Sequence, residues 1–171
     1  MSTLAAGTAL VLDGAGLSPR EVEQVARGGQ TVTLGAQAQA RLAASRADLE
    51  HAIAAGEVLY GVNTGFGSLS KQRIEGAQLR EIQKNLILSH AAGVGALLPP
   101  AAVRAMMLLL VASLSRGLSG VRPLVVERVV QLLNANVTPC VPSVGSVGAS
   151  GDLAPLAHAA LVLLGEGEAW V

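Results

Sequence analysis

The stretch Gly145–His158, GSVGASGDLAPLAH, joins a glycine-rich turn to an apolar run with helical periodicity. Its glycines let the backbone turn tightly in the first half of the stretch. Apolar residues then recur at three- and four-residue spacing and predict a helix over residues 152–164. Asp152 stands in the first turn of this helix, where a negative charge is favourable. The stretch therefore predicts a tight loop that leads into a helix.

The triplet Ala149-Ser150-Gly151 within this loop can form an electrophile. Gly151 has no side chain, so its nitrogen can approach the carbonyl carbon of Ala149 and close a five-membered imidazolone. Loss of the Ser150 hydroxyl as water then leaves an exocyclic methylidene. The triplet alone is also ordinary turn and N-cap sequence. A serine nucleophile elbow fits poorly because Asp152 stands where its second glycine should be.

A second block, Tyr60–Gly67 (YGVNTGFG), is rich in glycine and contains Tyr60 and Phe66, the only tyrosine and the only phenylalanine in the chain. Its glycines lack the spacing of a dinucleotide fingerprint. The block is either a flexible loop with an aromatic anchor or part of a site. Two unique aromatic residues in one glycine-rich loop favour a site.

A third block, Asn85–Gly95 (NLILSHAAGVG), closes an amphipathic helix predicted over residues 77–92, with Gly93 as its C-cap. His90 lies in the last turn of this helix. A single histidine there often only stabilises the helix dipole or a hydrogen bond. The block therefore leaves both a structural and a binding role open for His90.

Together the three blocks resemble the aromatic amino-acid ammonia-lyases. The resemblance implies that Ala149, Ser150 and Gly151 cyclise to 4-methylidene-imidazol-5-one (MIO), and that Tyr60 is the base for the substrate β-proton. Because the ordinary pKa of tyrosine is about 10, a positively polarised site would have to lower it. The His90 block resembles that of the histidine ammonia-lyases in particular. His90 is therefore the candidate contact for a polar substrate ring, although tyrosine ammonia-lyases can also carry histidine there.

The resemblance runs along essentially the whole chain but matches only about the amino-terminal third of a family member. Residues 1–171 are thus expected to form the MIO-bearing domain of a cytoplasmic homotetramer that converts L-histidine to urocanate and ammonia. The alternatives are a tyrosine ammonia-lyase or aminomutase, and a non-catalytic helical fragment. Because the rest of the fold helps to compress the loop, we expect the triplet to stay unmodified in the isolated chain, which intact mass would test.

Composition favours a single helical domain with a small-molecule substrate. Hydrophobic residues make up 51% of the 171 residues and aromatic residues only 2%, which favours close helix packing. Twelve basic and twelve acidic residues without a basic stripe argue against nucleic acid. The one cysteine fits a reducing cytosol, and the three dispersed histidines predict no metal site. The apolar segment 105–115 is too short to cross a membrane and predicts a buried helix. His158 is expected to be a buried polar anchor.

The fold class expected from this pattern is mainly α, with short β segments near the N-terminus. Ala9–Leu12 and Thr31–Leu34 are the strand candidates. Between them, Ser18 as N-cap, Pro19 at N1 and Glu21 at N3 predict a helix that stops at Gly28. Further helices are predicted over residues 36–55, 77–92, 100–116, 123–134 and 152–164.

Overall fold

A computed structural model describes residues 8–65, 74, 76–146 and 153–171. Over these residues the chain is mainly α, as predicted, with six helices and several short strands. The elements in chain order are β1 (Leu10–Leu12), α1 (Pro19–Ala26), β2 (Val32–Leu34), α2 (Ala36–Ala54), α3 (Gly76–His90), β3 (Val94–Leu97), α4 (Pro100–Leu114), α5 (Pro123–Asn134), β4 (Thr138–Pro139), β5 (Pro142–Val144), α6 (Leu153–Leu163) and β6 (Ala169–Trp170).

The N-terminal elements form a βαβ unit. Strands β1 and β2 pair in parallel, with Leu10 opposite Val32, and α1 connects them. The predicted capping box is confirmed at the start of α1. The Glu21 N–H donates to the Ser18 hydroxyl at 3.3 Å, and the Ser18 N–H donates to the Glu21 carboxylate at 2.7 Å. Two N-terminal donors are thereby satisfied, which fixes where α1 begins.

Helix α4 is the centre of the hydrophobic core. It buries Val103, Met107, Leu108 and Val111, and packs against α1 and α5. The buried helix predicted for the apolar segment is therefore confirmed. The core is aliphatic, as the composition indicated, and its other large members are Leu10, Leu12, Val25, Val32, Leu34, Leu42, Val126, Val129, Val130, Leu133 and Val141.

Arg104 is a charged residue inside this core, only 6% exposed. Its guanidinium donates to the carbonyl oxygens of Val25 and Ala26 at the end of α1, and of Leu133 near the end of α5, at 3.0–3.3 Å. Carbonyls at a helix C-terminus lack intrahelical donors and favour a positive charge. Arg104 therefore joins three helices at one point.

The structure adds strands in the second half of the chain that the sequence did not predict. β3 pairs antiparallel with β5, and β4 pairs antiparallel with β6. These segments are two to four residues long, too short to show an alternating pattern. None of the helices in the described ranges is both long and apolar enough to cross a membrane.

The predicted C-cap of the third helix is wrong. Helix α3 ends at His90, and Gly93 lies three residues beyond it, directly before β3. Gly93 is required for close packing instead. A Cβ on Gly93 would stand 3.0 Å from Nε2 of His158 and 3.2 Å from Cβ of Pro142. Close approach of another segment, rather than helix termination, explains this glycine.

Candidate active site

Tyr60 lies on a turn that is held by its neighbour Asn63. The Asn63 side chain, only 2% exposed, accepts from the Leu59 N–H at 2.7 Å and donates to the Glu57 carbonyl at 2.7 Å. The Asn63 N–H also donates to the Leu59 carbonyl at 3.1 Å. An asparagine that bonds its own backbone in this way substitutes for regular structure and fixes a turn. The turn is therefore an ordered support, while the Tyr60 side chain is 66% exposed.

Helix α3 contacts this turn through Gln83. Its amide Nε2 donates to the Gly61 carbonyl at 3.2 Å, next to Tyr60. Gln83 and His90 are seven residues apart on α3, so they lie on one face and about 10 Å apart along the helix axis. One rigid helix thus carries both His90 and the contact that supports the Tyr60 turn.

His90 is the last residue of α3, and its ring is oriented by the helix backbone. Nδ1 lies 2.8 Å from the Leu86 carbonyl oxygen. Because a carbonyl can only accept, Nδ1 carries the proton and donates. In the neutral ring Nε2 is then an acceptor, suited to an N–H or O–H donor. The same hydrogen bond stabilises the end of α3, so His90 also has the structural role that the sequence analysis left open.

His158 contacts the segment that follows His90. Its Nε2 accepts from the Gly93 N–H at 3.0 Å, so this ring is neutral with its proton on Nδ1. Burial lowers the pKa of His158 below its ordinary value, which favours that neutral form. His158 lies on α6, seven residues after the triplet. His158 is therefore a polar anchor with Gly93 as its partner, as the sequence predicted, but it is half-buried rather than fully buried.

Both sides of the triplet-bearing segment approach Gly93. A Cβ built on Gly145 would stand 2.9 Å from Cα of Gly93 and 3.1 Å from Cβ of Ala154. Gly145 follows β5, and Ala154 lies in the first turn of α6. Only a glycine fits at such a distance from another backbone. The residues that precede and follow the triplet are therefore packed tightly around one point.

Three of the residues named from the sequence, Ala149, Ser150 and Gly151, lie outside the described residues, as does Phe66. Of the others, Tyr60 and His90 are linked through Gln83 and α3. Asn63 and Gln83 were not predicted as site residues. Two signals could have indicated them: an Asn three residues after Tyr60, and a polar side chain two helical turns before His90.

Within the described ranges, no three His, Cys, Asp or Glu side chains lie close enough to hold a metal ion. Cys140 is half-buried, and burial together with the charge of Glu168 raises the pKa of its thiol. A raised pKa leaves less of the reactive thiolate. Cys140 therefore offers neither a ligand cluster nor an activated nucleophile.

Comparison with known proteins finds relatives in both sequence and fold. A histidine ammonia-lyase from Stigmatella aurantiaca is 53% identical over 162 residues, which are 94% of this chain and 32% of that protein. The solved structure of histidine ammonia-lyase from Trypanosoma cruzi matches with a TM-score of 0.82 at 38% identity. This match covers 94% of the present chain and 30% of the Trypanosoma cruzi chain. The solved structure of tyrosine aminomutase from Streptomyces globisporus matches with a TM-score of 0.87 at 36% identity. This match covers 96% of the present chain and 31% of the aminomutase chain.

This chain therefore spans about a third of the length of the relatives that it matches. The model of the aromatic amino acid lyase family matches residues 17–171, which is most of the chain. The family match, the sequence identity and the shared fold lead to one assignment: the chain belongs to the aromatic amino acid lyase family.

Proposed function

We propose that this chain is the MIO-bearing domain, residues 1–171, of an enzyme that eliminates ammonia from L-histidine to give urocanate. The observation that carries the proposal is the 53% identity to a histidine ammonia-lyase over 94% of the chain. The orientation of His90 supports it. With Nδ1 bonded to Leu86, Nε2 is an acceptor suited to the N–H of a substrate imidazole.

The residues around Gly93 fit a compressed loop of the kind that MIO formation requires. Gly145 approaches the Gly93 backbone more closely than any residue with a Cβ could. Ala149, Ser150 and Gly151 supply the small side chain, the leaving hydroxyl and the free nitrogen that ring closure needs. Once formed, the MIO group supplies the electrophile that makes the substrate amine a better leaving group.

Tyr60 and His90 would divide the remaining work. The side-chain oxygen of Tyr60 takes the β-proton of L-histidine, and the C–H electron pair becomes the Cα–Cβ double bond as ammonia leaves. His90 binds the imidazole ring and orients the side chain for this transfer. Asn63 and Gln83 hold the turn that carries Tyr60.

A tyrosine ammonia-lyase or aminomutase is the second candidate. The Nε2 acceptor of His90 also suits a phenol O–H, and a tyrosine aminomutase shares this fold at 36% identity. The identity to histidine ammonia-lyase is higher, at 53%, so histidine is favoured. Comparing turnover of L-histidine and L-tyrosine by the parent protein distinguishes the two candidates. The His90→Phe variant tests the role of His90, because its selectivity should shift away from L-histidine towards phenylalanine-like rings.

We further propose that the complete enzyme is a cytoplasmic homotetramer with a small amino-acid substrate and neither a nucleic-acid nor a membrane partner. The 66% exposure of Tyr60 leaves room for further protein, from the rest of the polypeptide or from another subunit, to cover this residue and exclude water. Relatives about three times as long as this chain could provide such segments.

The test uses a chimera that we call the extended protein. It joins this chain to the remaining part of the Stigmatella aurantiaca relative, the part to which this chain has no matching residues. We expect the extended protein to convert L-histidine to urocanate, followed by urocanate absorbance. Ser150→Ala should abolish turnover, and Tyr60→Phe should lower kcat by at least ~100-fold. Ser143→Ala, an exposed serine on β5, is the matched control and should leave activity unchanged.

Two results would contradict the proposal. An extended protein that folds and does not deaminate L-histidine would favour the non-catalytic alternative. Activity that survives in Ser150→Ala would exclude a prosthetic group formed from the triplet.

A further inference from the structure

His158 is a half-buried histidine that the reaction described above does not use. It lies on α6, and its Nε2 is bonded to the Gly93 N–H at 3.0 Å. Gly93 follows His90 by three residues. A three-residue tether spans at most about 10 Å, so a fixed Gly93 limits how far His90 can move.

Helix α3 packs against α6, and two polar contacts are described between the segment 76–97 and α6 with its following turn. The ion pair between Lys84 and Glu166, at 3.2 Å, joins α3 to the turn after α6, but both side chains are about half exposed. An exposed ion pair contributes little to stability because water screens it. The Gly93–His158 bond is partly buried and lies closer to His90. Of these two polar contacts it is the one nearer to His90, and it joins the segment after α3 to α6, whereas the Leu86 carbonyl orients the His90 ring within α3.

The fit around Gly93 is also tight. A Cβ on Gly93 would stand 3.0 Å from Nε2 of His158, which is closer than most side chains tolerate. The Gly93 N–H is directed at Nε2 of His158 on α6. A partly buried backbone N–H that loses its acceptor must find another partner, so the segment would shift.

We propose that His158 is a positioning residue for binding of the substrate ring: its Nε2 holds the Gly93 N–H and so fixes His90 relative to α6. This inference rests on the proposed function. His158 touches neither the substrate nor the reacting atoms in this account. It acts through the backbone of residues 91–93.

The test measures KM and kcat for L-histidine in the extended protein. His158→Phe removes the acceptor and should raise KM by about 10-fold, the equivalent of one lost hydrogen bond, with kcat changed less than about 3-fold. His158→Gln retains an acceptor at similar reach and should restore KM to within about 3-fold. His51→Phe, a change at an exposed histidine on α2, is the matched control.

A double-mutant cycle separates positioning of His90 from a general effect on the fold. If His158 acts through His90, His158→Phe should change KM little in a His90→Phe background. An equal rise in KM with and without His90 would overturn the proposal, as would an unchanged KM in His158→Phe.

Gly93→Ala tests the same contact if His158→Phe does not fold. The added methyl pushes against Nε2, and KM should rise with the same dependence on His90; an unchanged KM contradicts the proposal. A parent protein that forms no urocanate overturns the proposed function itself, and this inference with it. A parent that turns over L-histidine normally while the cycle is additive overturns the inference alone.

Discussion

Arg104→Met is the substitution whose effect the structure defines best. Methionine fills a similar volume with an unbranched apolar chain, but it cannot donate to the carbonyls that Arg104 binds. The guanidinium makes its two shortest contacts, both 3.0 Å, to Val25 and Leu133, and it bonds Ala26 at 3.2 Å. The substitution therefore removes every donor that α4 provides to the ends of α1 and α5.

The expected loss is about 2–4 kcal/mol of unfolding free energy. The carbonyls of Val25 and Leu133 keep a second donor, from Gly28 and Asn136, so each loses only part of its bonding. The partly compensated carbonyls of Val25 and Leu133 together lose about the value of one hydrogen bond to a charged group, about 1.5–3 kcal/mol, and the Ala26 carbonyl costs about 1–3 kcal/mol more. Relief from burying the charge offsets part of this sum, since burial already lowers the pKa of Arg104.

Denaturant unfolding of the chain measures this difference directly. Arg128→Met is the matched control, because Arg128 is an exposed arginine on α5 that bonds only Gln131 among the contacts described. The control should change stability by less than about 0.5 kcal/mol. If Arg104→Met were as stable as the control, the three-helix role assigned to Arg104 would be wrong.

Three further predictions follow from single contacts. Ser18→Ala removes the capping box and should cost about 1 kcal/mol in denaturant unfolding, whereas no change would show that α1 starts without it. Because burial lowers the folded-state pKa of His158, the unfolded chain takes up a proton first as pH falls through about 6.5. The free energy of unfolding should therefore fall as the pH drops from about 6.5 to the folded-state pKa of His158, and His158→Gln should make this pH dependence shallower. Gln83→Met should lower kcat more than it raises KM, because it releases the Tyr60 turn; an effect on KM alone would contradict this.

The helices and the first two strands could be predicted because their signals are local. Ser18 and Glu21 mark the start of α1, and α5 has the predicted bounds of Pro123 and Asn134. These signals depend on residues within one or two turns of each other. The mainly α class follows from them and from the aliphatic composition.

Contacts between distant segments could not be predicted in this way. The role of Gly93 depends on His158, 65 residues later, and on Pro142, which a single sequence does not bring together. Arg104 directly precedes the apolar segment 105–115 in the sequence, yet its side chain is buried against the C-terminal ends of α1 and α5. The strands β3 to β6 are defined by partners far along the chain rather than by their own patterns.

The same distinction between local signals and distant contacts applies to the candidate site. The chemistry of the triplet, Tyr60 and His90 could be proposed from residue types and a family resemblance. The structure adds what supports two of them: Asn63 and Gln83 for the Tyr60 turn, and Leu86 for the His90 ring. Supporting contacts of this kind involve common polar residues, so the sequence alone does not distinguish them.

Intact mass of the extended protein tests the central claim most directly. The account predicts a deficit of two waters, located by peptide mapping to the fragment that contains residues 149–151 and absent in Ser150→Ala. The isolated chain, which lacks the segments that help to compress the loop, should keep its full mass. A folded extended protein with the unmodified mass would contradict the assignment of Ala149, Ser150 and Gly151 as precursors of the electrophile.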